Sequence, residues 1–319
     1  MMDGELQWVY VIVGLVVVVS VVIPAIVQGL AQRIAWGDVP KTLMGKRIRT
    51  ARETMTGHAV MAQQATCPQT GTGPPLARIG AGAPLVGAVL FFLSGLLHPS
   101  TSAPSDLPAA FAEYAGSPYW VAIHLGQFVG VALMGIALVA LGATLESGRP
   151  TACGRIGLAG VVASIAVYAA NQAVDGVSNH VMVHRVAAAT GETRALVFEA
   201  AFAVRQIEVG LASYFSLLFG ATLVIFGLAM AFSARYPNWL AVIGLLGGLG
   251  ALVIGLEQAS NGFSDLSLNL FMIFGVVDLI WVSLTGVFMW RLAPRLAGDR
   301  QLHENACPGS PDRDCHHGA

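Results

Sequence analysis

The sequence predicts an all-α protein, a polytopic transmembrane helical bundle of seven spans, and two observations support this prediction. Of the 319 residues, 55% are hydrophobic and only 11% are charged, whereas soluble domains carry about 25% charged residues. Seven stretches are also apolar over roughly the 20 residues that a membrane-spanning helix needs. A fold in water has no way to hide so much apolar surface, so lipid is the solvent expected for this chain.

The predicted spans divide into an N-terminal span (within residues 1–30) and a six-span core (residues 80–292). The chain opens with an acidic segment that contains Asp3 and Glu5, whereas a cleavable signal peptide opens with basic residues. We therefore expect the first span to be retained as part of the protein. The predicted spans are residues 8–30, 80–97, 119–143, 156–174, 209–233, 238–258 and 267–290.

The segments between the spans carry an asymmetric positive charge that predicts the orientation. Fourteen of the 17 Lys and Arg residues fall on one side, and only Arg185, Arg194 and Arg205 fall on the other. Because cytoplasmic loops are enriched in Lys and Arg, we expect a multi-pass protein of the inner (plasma) membrane with its N-terminus outside and its C-terminus in the cytoplasm. All four cysteines fall on the basic side, as expected of reduced thiols in the cytosol.

Two segments outside the spans have the composition of flexible chain. The linker, residues 31–79, starts basic and then becomes rich in Gly, Thr, Gln and Pro. Its basic part is a candidate surface for a protein partner. The polar tail, residues 293–319, is expected to be a disordered cytoplasmic segment. The net charge of −1 gives no indication of a nucleic-acid partner, so the lipid bilayer and an unknown small solute or ion are the other expected partners.

Two consecutive pairs of spans share a pattern, which predicts an internal helical-hairpin repeat. Gly135 and Gly142 have the same spacing as Gly220 and Gly227. The run IGLAG at residues 156–160 matches IGLLG at 243–247, and the polar run NQAVDG at 171–176 matches EQASNG at 257–262. The offset stays between 85 and 87 residues. Parallel repeats of this kind occur in transporter folds.

Ionisable side chains inside or beside the predicted spans collect toward the outer side. Such residues are costly in hydrocarbon and face protein or water, so they predict a polar vestibule open to the outside. Asp278 is the deepest acid, with Arg205 and His124 as candidate partners, and with Glu257 it would form a proton or cation relay; the alternative is a structural acid. The ligand- or ion-binding candidates are Asp278, Glu257, His124, His98, Asp175, Glu208 and Arg205.

Histidine patterns raise metal chemistry as an alternative, although no cofactor is predicted. His180 and His184 are four residues apart and share one helix face. They would bind zinc only with a third ligand; otherwise they are surface histidines. A b-type haem would need two histidines that face each other across helices. His98 and His124, the two nearest span ends, are the candidates for that pair. The candidates for the third zinc ligand are His98, His124, Asp175 and Glu208.

Short motifs resemble those of uncharacterised bacterial multi-pass membrane proteins. Residues 117–125 (SPYWVAIHL) resemble one such run, and so does the run AVDG at residues 173–176 followed by Arg205 and Glu208. The resemblance covers about residues 80–290. It implies a six-span core and no particular activity.

A second resemblance is confined to two residues. Ser94 and His98 are similar to the Ser-xxx-His motif of seven-span zinc hydrolases of the ceramidase and adiponectin-receptor type. Those families place a His-xxx-His pair in their last span, and the last span here contains no histidine. That span also contains no lysine, which excludes a retinal protein.

The leading functional expectation is a transporter- or permease-like protein for a small solute or ion. Asp278 and Glu257 would be its relay carboxylates in the outward-facing vestibule. The alternatives are a membrane sensor or scaffold subunit acting through the basic linker, and a zinc- or haem-dependent membrane enzyme. The sequence contains no phosphate-binding loop or nucleophile-elbow motif, so nothing indicates a soluble catalytic domain. Enzyme activity is left open as the less favoured alternative.

Overall fold

The computed structural model describes residues 73–306, and every regular element within that range is helical. The predicted first span (residues 8–30), most of the linker and the end of the tail lie outside the described residues. The elements are α1 (Gly73–Leu97), α2 (Leu107–Ala115), α3 (Trp120–Thr144), α4 (Arg149–Ala173), a π-helical turn (Val174–Asn179), α5 (His180–Ala188), α6 (Glu192–Ala231), α7 (Asn238–Asn261) and α8 (Asp265–Ala306).

Six described helical segments are long and apolar enough to cross a membrane, which confirms the all-helical six-span core. Large apolar side chains remain on their outward surface; Leu97 is 66% exposed and Val162 is 68% exposed. Such a surface suits hydrocarbon, where the helices satisfy their own backbone groups. The segments are Ala77–Leu97, Trp120–Thr144, Arg149–Ala188, Glu192–Ala231, Asn238–Asn261 and Asp265–Gly298.

Two predicted boundaries need correction. Helix α1 begins at Gly73 rather than near residue 80, because the prolines that follow Gly73 are tolerated in a first helical turn, where the missing N–H is not needed. Helix α8 continues to Ala306, so residues 293–306 are helical rather than disordered; this segment is rich in Leu, Ala and Arg, which favour helix. The long segment 176–208 is also almost entirely helical.

A small apolar cluster covers the end of the bundle at which α1 ends and α3 begins, here called the cap end. Helices α2 and α5 pack there against the first turns of α6 through Phe111, Val183 and Ala201. Helix α6 has 40 residues and is therefore about 60 Å long, twice the roughly 30 Å of hydrocarbon in a bilayer. Its first half is therefore long enough to extend beyond the hydrocarbon, where α2 and α5 pack against it.

The hairpin α3–α4 and the hairpin α6–α7 pack in the same register. In α3–α4 the side chain nearest to Gly142 is that of Leu158, and in α6–α7 the side chain nearest to Gly227 is that of Leu245. Two helical turns before Gly142 in α3, Gly135 lies against Val161 and Ile165. The corresponding contacts in α6–α7 join Gly220 to Gly248 and Leu252. The offsets of 85 and 87 residues seen in the sequence therefore recur in the contacts between helices.

At the opposite end of the bundle, here called the turn end, side chains join the turns of these two hairpins. Arg235 donates to the carbonyl of Thr144 over 2.6 Å, and its Nε lies 3.6 Å from the Glu146 carboxylate. Ser233 donates to Glu146, and Thr144 and Tyr236 share a short hydroxyl–hydroxyl hydrogen bond. The polar groups of the two turns thus satisfy one another.

A candidate metal centre at the cap end

The π-helical turn between α4 and α5 points polar side chains into the bundle. Asp175 and Asn179 are both buried there. Gly176 lies so close to α3 that an added Cβ would sit 2.7 Å from the Cβ of His124. The Trp120 indole N–H donates to the backbone carbonyl of Asp175 over 3.0 Å. Single π-helical turns are frequent at functional sites because the extra residue redirects side chains.

Three potential metal ligands converge beside this turn from three different elements. His98 follows the last residue of α1, His124 lies in the first turns of α3, and Asp175 lies in the π-helical turn. One donor atom from each lies within 4.8 Å of the others. Nε2 of His124 is 2.9 Å from Oδ2 of Asp175, and the two imidazole rings are 5.3 Å apart. Among the described residues these three form the one such group.

Both histidines hold the same ring nitrogen against a backbone carbonyl. Nδ1 of His98 lies 2.8 Å from the carbonyl of Pro99, and Nδ1 of His124 lies 2.7 Å from the carbonyl of Trp120. A carbonyl only accepts, so each Nδ1 carries the proton and each neutral ring keeps its lone pair on Nε2. Metal-ligating histidines are commonly fixed in this way by a carbonyl on the other ring nitrogen.

The separation of the donors fits a small metal ion better than a haem. Zinc lies about 2.0–2.2 Å from imidazole nitrogen and carboxylate oxygen, so tetrahedral donors stand about 3.4 Å apart. The observed spacing of 4.8 Å or less would need side-chain shifts of about 1 Å. A haem plane would need the space next to Nε2 of His124, and the Asp175 carboxylate already occupies that space.

A second group of buried charges adjoins the three candidate ligands. Arg205 donates from Nη1 to both oxygens of Glu208, at 2.7 and 2.8 Å. Its guanidinium lies over the rings of Tyr114 and Phe263, 5.5 and 4.5 Å from their centroids. Asn179 joins this pair to Asp175, because its Nδ2 lies 3.3 Å from Glu208 and 3.4 Å from Asp175.

The charges of this network do not balance when both histidines are neutral. Asp175 and Glu208 contribute two negative charges, and Arg205 contributes one positive charge. All three residues are buried, with 8% of Asp175, 8% of Arg205 and 2% of Glu208 exposed, and burying an uncompensated charge is costly. With both carboxylates ionised, one positive charge is missing, and a proton on His124 or on one of the carboxylates, or a metal ion beside Asp175, would balance the network.

The segment that follows His98 is held against α2 by hydrogen bonds. Burial lowers the pKa of His98 despite the nearby Asp175, and burial raises the pKa of Tyr114, so both groups are neutral near pH 7. The Glu113 carboxylate accepts hydrogen bonds from the backbone N–H groups of Thr101 and Ser102. Burial opposes ionisation of Glu113, but these hydrogen bonds outweigh it and lower the pKa of Glu113.

The structure separates the two acids of the predicted relay. Glu257 accepts from Asn261 and Ser264 at the cap end. The Asp278 carboxylate lies against Gly247, ten residues earlier in α7, where an added Cβ would overlap it. Ten helical residues span about 15 Å, which is too far for direct proton transfer.

Asp278 also lacks the partners expected for it. Arg205 pairs with Glu208, and His124 pairs with Asp175. Oδ1 of Asp278 is buried without a hydrogen-bond partner. Asp278 therefore stands apart from the cap-end network.

The histidine pair on α5 does not join the candidate metal centre. His180 and His184 do stack edge to face, with ring centroids 4.5 Å apart, as their spacing predicts. Neither belongs to a group of three potential ligands within the described part of the chain. His184 is exposed, whereas His180 is half-buried. Of the four third-ligand candidates, His98, His124 and Asp175 instead group with one another.

Three residues that contact the site were missed by the sequence analysis. Asn179 bridges two carboxylates, Trp120 donates to the π-helical turn, and Tyr114 lies against Arg205. A signal was present for Asn179, because it follows Asp175 by four residues and so shares a helix face with it. No comparable signal was present for Tyr114, which reaches the site only through the packing of α2.

Comparison with known proteins gives this chain no family: no family model matches it, and neither does any curated protein or solved structure.

Proposed function

We propose that this protein is a membrane metalloenzyme that holds a zinc-class divalent ion between His98, His124 and Asp175. The observation that carries the proposal is the convergence of these three donors, with Nδ1 of both histidines committed to backbone carbonyls. Three protein ligands leave the fourth position of a tetrahedral ion open, which is typical of catalytic rather than structural zinc. An ion held by these three residues would supply an activated water molecule for hydrolysis near neutral pH.

We also propose that the site faces the outside of the inner membrane. The asymmetry of Lys and Arg supports a cytoplasmic C-terminus and, with the seventh span predicted at residues 8–30, an outer N-terminus. About 20 helical residues counted back from Ala231 in α6 reach only Leu211, so Glu208 would lie at the headgroup level. The shared register of the two hairpins supports their origin by duplication.

Two features favour this assignment over a transporter. Substrate sites in secondary transporters lie near the middle of the bilayer, whereas this site lies at one end of the bundle. The two acids of the expected relay are also separate, since Glu257 is bonded to its neighbours at the cap end and Asp278 packs beside Gly247.

Transport of a proton or cation is a second candidate function, and one observation favours it. Asp278 is 8% exposed, and its Oδ1 has no partner, and an ionisable residue in this position within a span is a functional candidate. Replacing Asp278 with Asn would abolish proton-coupled uptake into vesicles and leave metal content unchanged. The sensor or scaffold alternative depends on the basic linker, which lies mostly outside the described residues.

Metal analysis of the purified full-length chain tests the metal assignment. We expect about one zinc-class ion per chain, as a site with three protein ligands predicts. His98→Ala should lose this ion, whereas His184→Ala, which removes an exposed histidine near the same end, should retain it. Substoichiometric metal in the wild-type chain after zinc supplementation would refute the proposal.

A spectroscopic experiment tests whether the metal has an open position. Cobalt in place of zinc gives a visible spectrum that reports the number and geometry of its ligands. Azide should change that spectrum in the wild-type protein, because it would replace a bound water. A spectrum insensitive to azide would indicate a closed structural site, and the enzymatic part of the proposal would then be wrong.

A further inference from the structure

We propose that Asn179 is a positioning residue that aims the Asp175 carboxylate at the metal ion. This inference rests on the proposed metal site. It assigns a role to a residue whose side chain is not itself among the three candidate ligands.

The contacts of Asn179 fit a positioning role. Its side chain is completely buried, and its Nδ2 lies 3.4 Å from Oδ1 of Asp175 and 3.3 Å from Oε2 of Glu208. An amide group has two N–H donors, so one is available for each carboxylate. The contact uses the Asp175 oxygen that does not face His124, because His124 contacts Oδ2. Asp175 is therefore held at one oxygen by the amide and presents the other to the candidate metal position.

The other partner of Asn179 is itself fixed. Glu208 is held by both of its oxygens to Nη1 of Arg205, and Nη2 of Arg205 lies 3.3 Å from the Tyr114 hydroxyl. The chain of contacts thus runs from α2 through α6 to the π-helical turn. Asn179 is an uncharged link between the two carboxylates, and it keeps them in place without adding a charge that would compete with the metal.

The remaining polar atom of Asn179 also indicates a ligand beside it. Its Oδ1 is buried and has no hydrogen-bond partner, although an unpaired buried acceptor is unfavourable. A bound ligand with an O–H or N–H group would supply the missing donor.

Replacement of Asn179 by Leu tests the proposal, because Leu has a similar branched shape and no donor. Outer-shell partners of metal ligands typically contribute 10- to 100-fold in affinity, so the zinc Kd of Asn179→Leu should rise by about 10- to 100-fold. The matched control is Asn171→Leu, which changes another buried amide on the preceding helix. That variant should bind zinc within about threefold of the wild type, because the Asn171 side chain makes no hydrogen bond to either carboxylate.

The cobalt spectrum separates positioning from a general loss of stability. If Asn179 orients Asp175, the visible bands of cobalt-loaded Asn179→Leu should shift relative to those of the wild type. Those of Asn171→Leu should not shift, even if both variants unfold at the same lower temperature. Unchanged zinc Kd and unchanged bands in a folded Asn179→Leu protein would overturn the proposal.

Two further outcomes remain distinguishable. Should Asn179→Leu fail to fold, Asn179→Ser keeps a small polar side chain too short to reach both carboxylates, and it must show the same weaker zinc binding; wild-type affinity in that variant would refute the positioning role. Absence of zinc binding in the wild-type chain would refute the proposed metal site itself, and with it this inference.

Discussion

Both ends of the bundle contain an Arg–Glu pair, but the two pairs differ in burial and in how fully the neighbouring polar groups are paired. At the turn end, Arg235, Glu146 and their hydroxyl neighbours satisfy one another, and the Arg–Glu pair is about 30% exposed. At the cap end, Arg205 and Glu208 are 9% and 3% exposed and lie beside a further carboxylate. Oδ1 of Asn179, which lies in this network, is buried without a hydrogen-bond partner.

This difference indicates which cluster serves structure and which serves chemistry. A network that only joins two turns is stable when every donor and acceptor is paired. A network that binds a ligand keeps unpaired groups and an unbalanced charge, and the ligand completes both. The turn end matches the first description, and the cap end matches the second.

The largest expected effect concerns metal content. His124→Ala should abolish stoichiometric zinc, because it removes the ligand that lies between His98 and Asp175. Glu146→Ala removes a partly exposed acid at the turn end and should leave zinc content unchanged. Metal analysis of both purified variants checks this, and equal loss of zinc in the two variants would remove the distinction between the clusters.

The next effect concerns the stability of the two ion pairs. Arg205→Met should lower the free energy of unfolding by about 3–5 kcal/mol, because Glu208 would remain buried and unpaired. Arg235→Met should cost only about 0–1 kcal/mol, since its pair is partly exposed. Equilibrium unfolding in mixed detergent micelles measures both values. Adding Glu208→Gln to Arg205→Met should recover part of the loss, and no recovery would show that the buried charge is not the cause.

A smaller effect follows from adding one methyl group at each end. Gly176→Ala should cost about 1–3 kcal/mol and weaken zinc binding, because the new Cβ would push on the Cβ of His124. Gly154→Ala meets only the tip of the Leu145 side chain, which moves easily, so a smaller loss and normal zinc binding are expected. Thermal unfolding and zinc titration of the two variants provide the comparison, which fails if Gly154→Ala weakens zinc binding as much.

The smallest effect concerns how the stability contributed by Glu113 depends on pH. The pKa of Glu113 is lowered in the folded protein from its ordinary value of 4.5. The stability that ionised Glu113 contributes is therefore complete above pH 4.5, and it is lost as the pH falls through the lower pKa of the folded protein. The wild type should unfold at a higher temperature than Glu113→Ala at pH 6, and the gap should narrow below about pH 4.5. A gap that stays constant between pH 6 and pH 3.5 would contradict this account.

Much of the candidate site was visible in the sequence, but its grouping was not. Every candidate metal ligand had been singled out as a polar residue near a span end. His180 and His184 were considered as a zinc pair because neighbours along one helix are easy to recognise in a sequence. Arg205 and His124 were candidate partners of Asp278 because the depth of each side chain in the membrane was judged only from its position along the sequence. Each of those partners has a nearer carboxylate in the structure.

By itself the sequence determined the solvent, the helical class and the six-span core, because hydropathy over 20 residues depends only on local composition. It also determined the register of the two hairpins, since glycine spacing limits which helix faces approach closely. Only the tertiary structure decided that His98, His124 and Asp175 meet, and that Asn179 joins Asp175 to Glu208. Those contacts depend on a π-helical turn and on the packing of α2 over the bundle, and neither leaves a periodic signal in the chain.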